Sequence, residues 1–284
     1  MSKVITLKKG LDINLKGKPE KKLAEAAPTA TYAIKPPDFP GTIPKLVSKE
    51  EHEVKVGTVL FYDKNHPEVK YTSPVTGKVK VVNRGERRRI LEIVVEAYSQ
   101  DEYETFKKAD PSTLTRDEVA DLLLQSGMWP MLRRRPYNTV AYPEDKPLAI
   151  FISGFDTNPL GPDIDFLMEG EKEHFQTGVN ALRQLTEGPV HLNLYKDRKH
   201  SDAFTQAEGV QINYFEGPHP AGEPGIQMHH ISPINKGDVY WHIHPQDVAA
   251  IGKFFKEGRF IPERKVALAG SEVKEPQYFQ TRIG

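Results

Sequence analysis

The sequence predicts a multidomain α/β protein: a β module over residues 1–98, a helical connector over 99–146, and a largely parallel, three-layer α/β domain over 147–284. Three observations carry this. Short β-branched runs between glycine and proline turns fill the first third. Clear helix signals begin only after residue 98. From about 147 to 270, strand-like and helix-like segments alternate, which is the pattern of a parallel sheet covered by helices.

In the β module, "VKV" (54–56) and "TVLFYD" (58–63) read as two strands around a turn at Gly57. "GKVKVVN" (77–83) and "RILEIVVEA" (89–97) follow, separated by the turn "NRGE". The segment 25–45 holds five prolines, too many for regular structure, and is expected to cross between two halves of the module in extended form. Past residue 98, Thr115 with Glu118 three residues on is the capping-box spacing. It starts a helix striped by Val119, Leu122 and Leu123 and stopped by Gly127.

Strands are then predicted at 147–154, 189–195, 210–215, 238–243 and, as the last clear one, "RKVALAG" (264–270). Helices are predicted near Glu173–Leu185, near Asp202–Gln206 and over 245–258, the last with Pro245 in its first turn and Gly258 at its end. Phe175, Val179, Leu182 and Leu185 give the first of these a single apolar face.

A chain of 284 residues accommodates about two domains. Hydrophobic residues at 38% and charged residues at 27% describe an ordinary globular protein. The formal net charge is zero, which removes bulk attraction to nucleic acid, but it hides a surplus of seven positive charges over 1–98 against seven negative over 99–284. Cysteine is absent, so disulfides, thiolate metal sites and cysteine nucleophiles are excluded. No signal-peptide pattern and no apolar run of about 18 residues is present. The chain is expected to be cytosolic, working at a membrane only by docking on a partner.

Four motifs bear on chemistry. Lys64 in "YDKNHPEVKYTSP" lies where swinging-arm carrier domains place a modified lysine. The proline two residues after Asn65, and a gap to Ser73 about two residues too long, favour a scaffold without the arm. "GPHPAGEPG" (217–225) has glycines that allow close approach of backbone to a phosphate. Its spacing is not that of a dinucleotide fingerprint and no helix is read directly after it, so it reads as a rigid loop. Five of the ten histidines fall between 219 and 244, and His242 and His244 share a face if their strand persists. Without a cysteine or a helical metal motif, they read as packing or capping residues. "MLRRRPYN" (131–138) is a solvated loop or an arginine contact to an anion or partner.

Several segments in order resemble one family, the A subunit of the bacterial sodium-translocating NADH:quinone reductase. They include "KKGLDINLKGKPE" (8–20), "VKVGTVLFYDK" (54–64), "YTSPVTGKV" (71–79), "NRGERR" (83–88), "FISGFDTNPLGPD" (151–163), "FQTGVNALRQLTEGPVHL" (175–192), "GPHPAGEPG" (217–225), "PQDVAAIGKFFKEGRF" (245–260) and "VALAGSEVKEP" (266–276).

The resemblance implies an N-terminal barrel-sandwich hybrid of the lipoyl/biotinyl type without its arm. A Rossmann-like domain follows, resembling the flavin domain of the NADH dehydrogenase flavoprotein subunit. The family continues past the end of this sequence, which implies a C-terminally truncated chain. The flavin relative carries glycines where "SGMWPMLRRRPYNTVAY" (126–142) stands here. Trp129, Met131, Leu132 and Arg133 to Arg135 are expected to fill the flavin space, and Asn158-Pro159 replaces the glutamates of the second loop.

The resemblance further implies a peripheral subunit on the cytoplasmic side of the bacterial inner membrane, partnered by membrane-embedded subunits. NAD, flavins and ubiquinone would be used through the complex, with no cofactor, metal or catalytic residue in this chain. The emptied cleft is expected to bind quinone through Arg135, Tyr137, Asp156, His219 and Gly222. A lysine-modified carrier and a plain scaffold remain the alternatives.

Overall fold

Short β-branched and aromatic runs build the first hundred residues of this computed structural model, which describes residues 3–284. The strands are β1 (Lys3–Thr6), β2 (Glu20–Glu25), β3 (Thr31–Ile34), β4 (Pro44–Leu46), β5 (Glu53–Val54), β6 (Val59–Asp63), β7 (Lys70–Thr72), β8 (Gly77–Arg84) and β9 (Ile90–Ala97). β3, β9, β8 and β5 form one antiparallel sheet, and β4, β6 and β7 form another. Val54, Leu60, Phe61, Val79, Ile93 and Val95 are buried in their shared core.

The proline-rich segment does pass from the first sheet to the second, but it also contains β3 and the start of β4. Its prolines are tolerated because Pro36 opens a 3₁₀ turn and Pro44 starts an edge strand, where no ladder donor is lost.

α1 (Arg116–Ser126) starts on the capping box: the Glu118 carboxylate accepts from the Thr115 backbone N–H at 2.9 Å, and Thr115 Oγ1 accepts from the Glu118 N–H. After it come β10 (Arg133–Arg135), β11 (Thr139–Val140), β12 (Ile150–Ser153), α2 (Ile164–Leu167), α3 (Lys172–Gln184) and β13 (Val190–Tyr195). The chain continues through α4 (Asp202–Thr205), β14 (Gln211–Glu216), α5 (Pro224–Ile231), β15 (Tyr240–Ile243), α6 (Pro245–Glu257), β16 (Glu263–Leu268) and β17 (Gln277–Arg282).

One sheet of seven strands, in the order β1-β14-β13-β12-β15-β10-β11, organises this half. Its first five strands are parallel, and β10 and β11 are added antiparallel at one edge. Alternation along β12 separates two layers: Ile150 and Ile152 join the core with α3 and α6, while Phe151 packs with Met228 of α5. β12 leads to β13 and β14 on one side, and the chain then returns to place β15 on the other. The strand order therefore reverses between β12 and β15, which opens a crevice at their carboxyl ends.

Three further features depart from expectation. "RKVALAG" supplies β16, but outside the parallel sheet, in a small sheet with β17 and β2. None of its residues is fully buried, as suits an outer strand. α5 follows the glycine-proline loop directly, with Pro224 at its first position. The three arginines of 133–135 form a half-buried strand, not a solvated loop.

Candidate functional site

At the carboxyl ends of β12 and β15 lies a cavity of about 600 Å³, within the range of small-molecule sites. Ser153 at the end of β12 and Phe155 and Asp156 just after it enter the cavity, with His242 and His244 from the end of β15. Arg133 and Arg135 come from β10, and Gly222 and Glu223 from the loop before α5. The β module closes the other wall with Ile34, Phe39, Tyr71 and Thr72.

Arg133 and Arg135 are two apart on a strand and so project to one side. Among the described residues neither forms an ion pair, and Arg133 Nη1 and Arg135 Nε are buried without a hydrogen-bond partner. Burial lowers both pKa values, yet a guanidinium remains charged. The Arg133 guanidinium sits 5.6 Å from the centre of the Phe39 ring, a cation–π placement that offsets part of its desolvation.

Burial, reinforced by Arg135 and then by His244 and Arg133, pushes the His242 imidazole down to about 3. The ring is therefore neutral near pH 7, and its buried Nδ1 lacks a partner. His244 does not share a strand face with it, because β15 stops at Ile243. Its Nδ1 instead accepts from the Gln246 N–H at 3.2 Å and caps α6, which leaves the neutral ring's proton on Nε2.

The acids of the wall are largely occupied. Asp247 pairs with Arg264 at 2.8 Å, and Asp156 Oδ1 accepts from the Asn158 backbone and side chain at 2.7 and 2.8 Å. A buried amide chain holds the floor. Asn193 Nδ2 donates to Gln227, whose Nε2 donates to Ser153 Oγ at 2.9 Å and to the Ala221 carbonyl at 3.1 Å. The loop before α5 is thereby fixed to the sheet, and the cavity wall with it.

Of the five residues expected at the site, the fold brings Arg135, Asp156 and Gly222 together on the cavity. The Gly222 N–H donates to Thr157 Oγ1 at 2.9 Å. His219 lies behind the wall, its Nδ1 3.1 Å from the same Thr157 hydroxyl and its backbone N–H on Asp12. Tyr137 is 74% exposed and outside the wall. The expectation that bulky side chains fill the cleft is corrected. Trp129 and Leu132 turn into the core, with Trp129 Nε1 donating to the Ala141 carbonyl at 2.8 Å, and the space beside Met131, Arg133 and Arg135 stays open. Phe39, Tyr71, His242 and Arg264 were not foreseen as wall residues. Only the histidine cluster gave a signal, and it reads as packing or capping, which His244 does at α6 while His242 faces the cavity.

Among the described residues no helix is long and apolar enough to cross a membrane. A family model described as the NqrA N-terminal barrel-sandwich hybrid domain matches residues 5–98, and one described as the NqrA second alpha/beta domain matches residues 114–260. The chain is similar to the A subunit of the Na(+)-translocating NADH-quinone reductase of Pseudomonas aeruginosa, with 38% identity over 283 residues. The Yersinia pseudotuberculosis and Neisseria meningitidis proteins of that name are each 36% identical, over 285 and 284 residues. Each comparison covers 99% of this chain and 63% of the relative, so the chain spans under two thirds of the relatives' length. A solved NAD+-reducing [NiFe]-hydrogenase aligns over 47% of this chain and 30% of its own, at 12% identity and a TM-score of 0.34, too slight a likeness to build on.

Proposed function

The chain belongs to the family of the A subunit of the Na(+)-translocating NADH-quinone reductase, and from that premise we propose that it serves such a reductase as a peripheral component binding the quinone headgroup. In this reading NADH oxidation and sodium export proceed through other subunits, some membrane-embedded, against which the chain docks from the cytoplasmic side. In the same reading the redox cofactors are assigned to those other subunits.

The observation that supports quinone binding is the open cavity at the strand-order reversal, with its unpartnered donors. A quinone ring is a flat apolar disc with carbonyl acceptors at two opposite positions and no donor of its own. It calls for an apolar slot with donors, and Phe39, Pro130, Met131, Phe155, Phe260 and Ile283 offer the slot. Arg135 and Arg133 supply charged donors, and neutral His242 adds one that brings no further charge. Asp156 and Asp247 each have one oxygen engaged elsewhere, Asp156 Oδ1 by Asn158 and Asp247 Oδ1 by Arg264, and among the described residues neither pairs with those donors.

The two tryptophans report on the site. Trp129 and Trp241 pack edge to face at 5.5 Å in the core beside the cavity wall. Titration with a short-chain ubiquinone is expected to quench their fluorescence saturably. Arg135→Gln should weaken the binding about tenfold or more, the worth of one hydrogen bond from a charged donor. Quenching that never saturates, or that is the same in the variant, contradicts the reading.

A further inference from the structure

The hairpin between β6 and β7, at the position where a carrier scaffold would present its lysine, is tied down here. Asp63 Oδ1 accepts from the Ile43 and Asn65 backbone N–H groups at 3.0 and 3.2 Å and fixes the hairpin's base. At its tip the His66 ring stacks on Tyr142 at 4.4 Å with 21° between planes, so it rests on the segment that follows β11. From that segment Glu144 approaches His66 Nδ1 to 3.5 Å. Glu68, two residues from His66 across Pro67, turns to the same place. One ligand atom from each of His66, Glu68 and Glu144 lies within 4.8 Å of the other two.

Two carboxylates thus converge with only an imidazole between them. Among the described residues no lysine or arginine pairs with either glutamate. Like charges brought together repel, and one imidazole offsets at most one of them. A dication placed among the three atoms reverses that balance.

We infer that His66, Glu68 and Glu144 bind a divalent transition-metal ion of the zinc class, clamping the β6–β7 hairpin to the 140–147 segment. One nitrogen and two carboxylate oxygens make a set suited to Zn²⁺ with water in the remaining position, whereas Ca²⁺ and Mg²⁺ prefer all-oxygen shells. Ligand atoms about 2.0–2.1 Å from zinc stand roughly 3.4 Å apart in a tetrahedron. The 3.5 Å between His66 Nδ1 and the Glu144 carboxylate already matches this, and side-chain rotation closes any wider gap within the cluster. Glu144 is 64% exposed and free to swing, while His66, 17% exposed, is held in place by Tyr142. None of the three residues lines the quinone cavity, so the inference is independent of that reading.

The test is calorimetric titration of the chelator-treated 284-residue chain with ZnCl₂, repeated with MgCl₂ as competitor. One equivalent of Zn²⁺ is expected to bind, with Mg²⁺ at equal concentration leaving it in place, and thermal unfolding should shift upward on binding. Glu144→Gln, an exposed change that keeps the hairpin's packing, should weaken binding at least about tenfold, since even outer-sphere changes cost that much. His66→Ala should abolish it. Absence of stoichiometric binding overturns the inference. So does binding that survives in both variants, because the ion then sits adventitiously on other histidines.

Discussion

Replacing Gly222 by alanine probes the seam where two loops meet to wall the cavity. An added Cβ would lie 2.5 Å from the Thr157 backbone nitrogen and 2.8 Å from its hydroxyl oxygen, closer than packed atoms tolerate. The loops must separate by several tenths of an ångström or more. That stretches the 2.9 Å bond from the Gly222 N–H to Thr157 Oγ1, a loss of about 1 kcal/mol, and adds overpacking of roughly 1–3 kcal/mol. A total of about 2–4 kcal/mol corresponds to a fall in melting temperature of roughly 3–7 °C for a chain of this size.

Gly225, three residues on, is the control. It sits in the first turn of α5 with nothing within 4 Å of the place an alanine Cβ would take, so Gly225→Ala should leave stability unchanged or raise it by up to about 1 kcal/mol. Thermal melts followed by circular dichroism, with quinone titration of each variant, measure the contrast. If Gly222→Ala melts with the parent protein, or both variants shift alike, the seam is not as tight as argued.

Two other predictions concern the scaffold. Gly178→Ala would place a Cβ 1.9 Å from the Val248 carbonyl oxygen, so α3 and α6 must part; a loss of at least about 2 kcal/mol is expected in urea unfolding, with a larger loss for Gly178→Val. His191 is buried, and burial pushes its pKa down to about 4, whereas the unfolded value is about 6.5. Its neutral form therefore contributes stability that is complete above about pH 6.5 and is lost as the pH falls toward about 4. Between pH 7 and pH 5 this amounts to about 2 kcal/mol, which His191→Gln should remove from the measured pH dependence.

What could be read from the sequence was what is local. The box of Thr115 and Glu118 spans three residues and needs no tertiary partner to be recognised. The stripe of Phe175, Val179, Leu182 and Leu185 marks a buried helix face in any fold. Sheet membership was not legible in this way. Residues 3–6 lie parallel to β14, and β16 pairs with a strand from residues 277–282, which in turn meets residues 20–25. Such pairings depend on long loops that leave no periodic trace.

α5 was hidden because Pro224 and Gly225 resemble a loop until proline is placed at a helix's first position. The cavity was legible in part, since the loops bearing Arg135, Asp156 and Gly222 were marked by their composition. Its opposite wall comes from Phe39 and Tyr71, far upstream in the β module, and no local pattern links them to Arg135. Whether Trp129 fills a cleft or turns into the core is likewise decided by its tertiary neighbours, Trp241 and the Ala141 carbonyl.

Photoaffinity labelling with an azido-ubiquinone, followed by peptide mapping, tests the quinone cleft most directly. The label is expected in 129–142, 154–163 or 216–225, or on the facing residues Phe39 and Tyr71, and excess unlabelled ubiquinone should suppress it. Label distributed elsewhere, or label in these segments that competitor does not reduce, would contradict the assignment of the cavity to quinone.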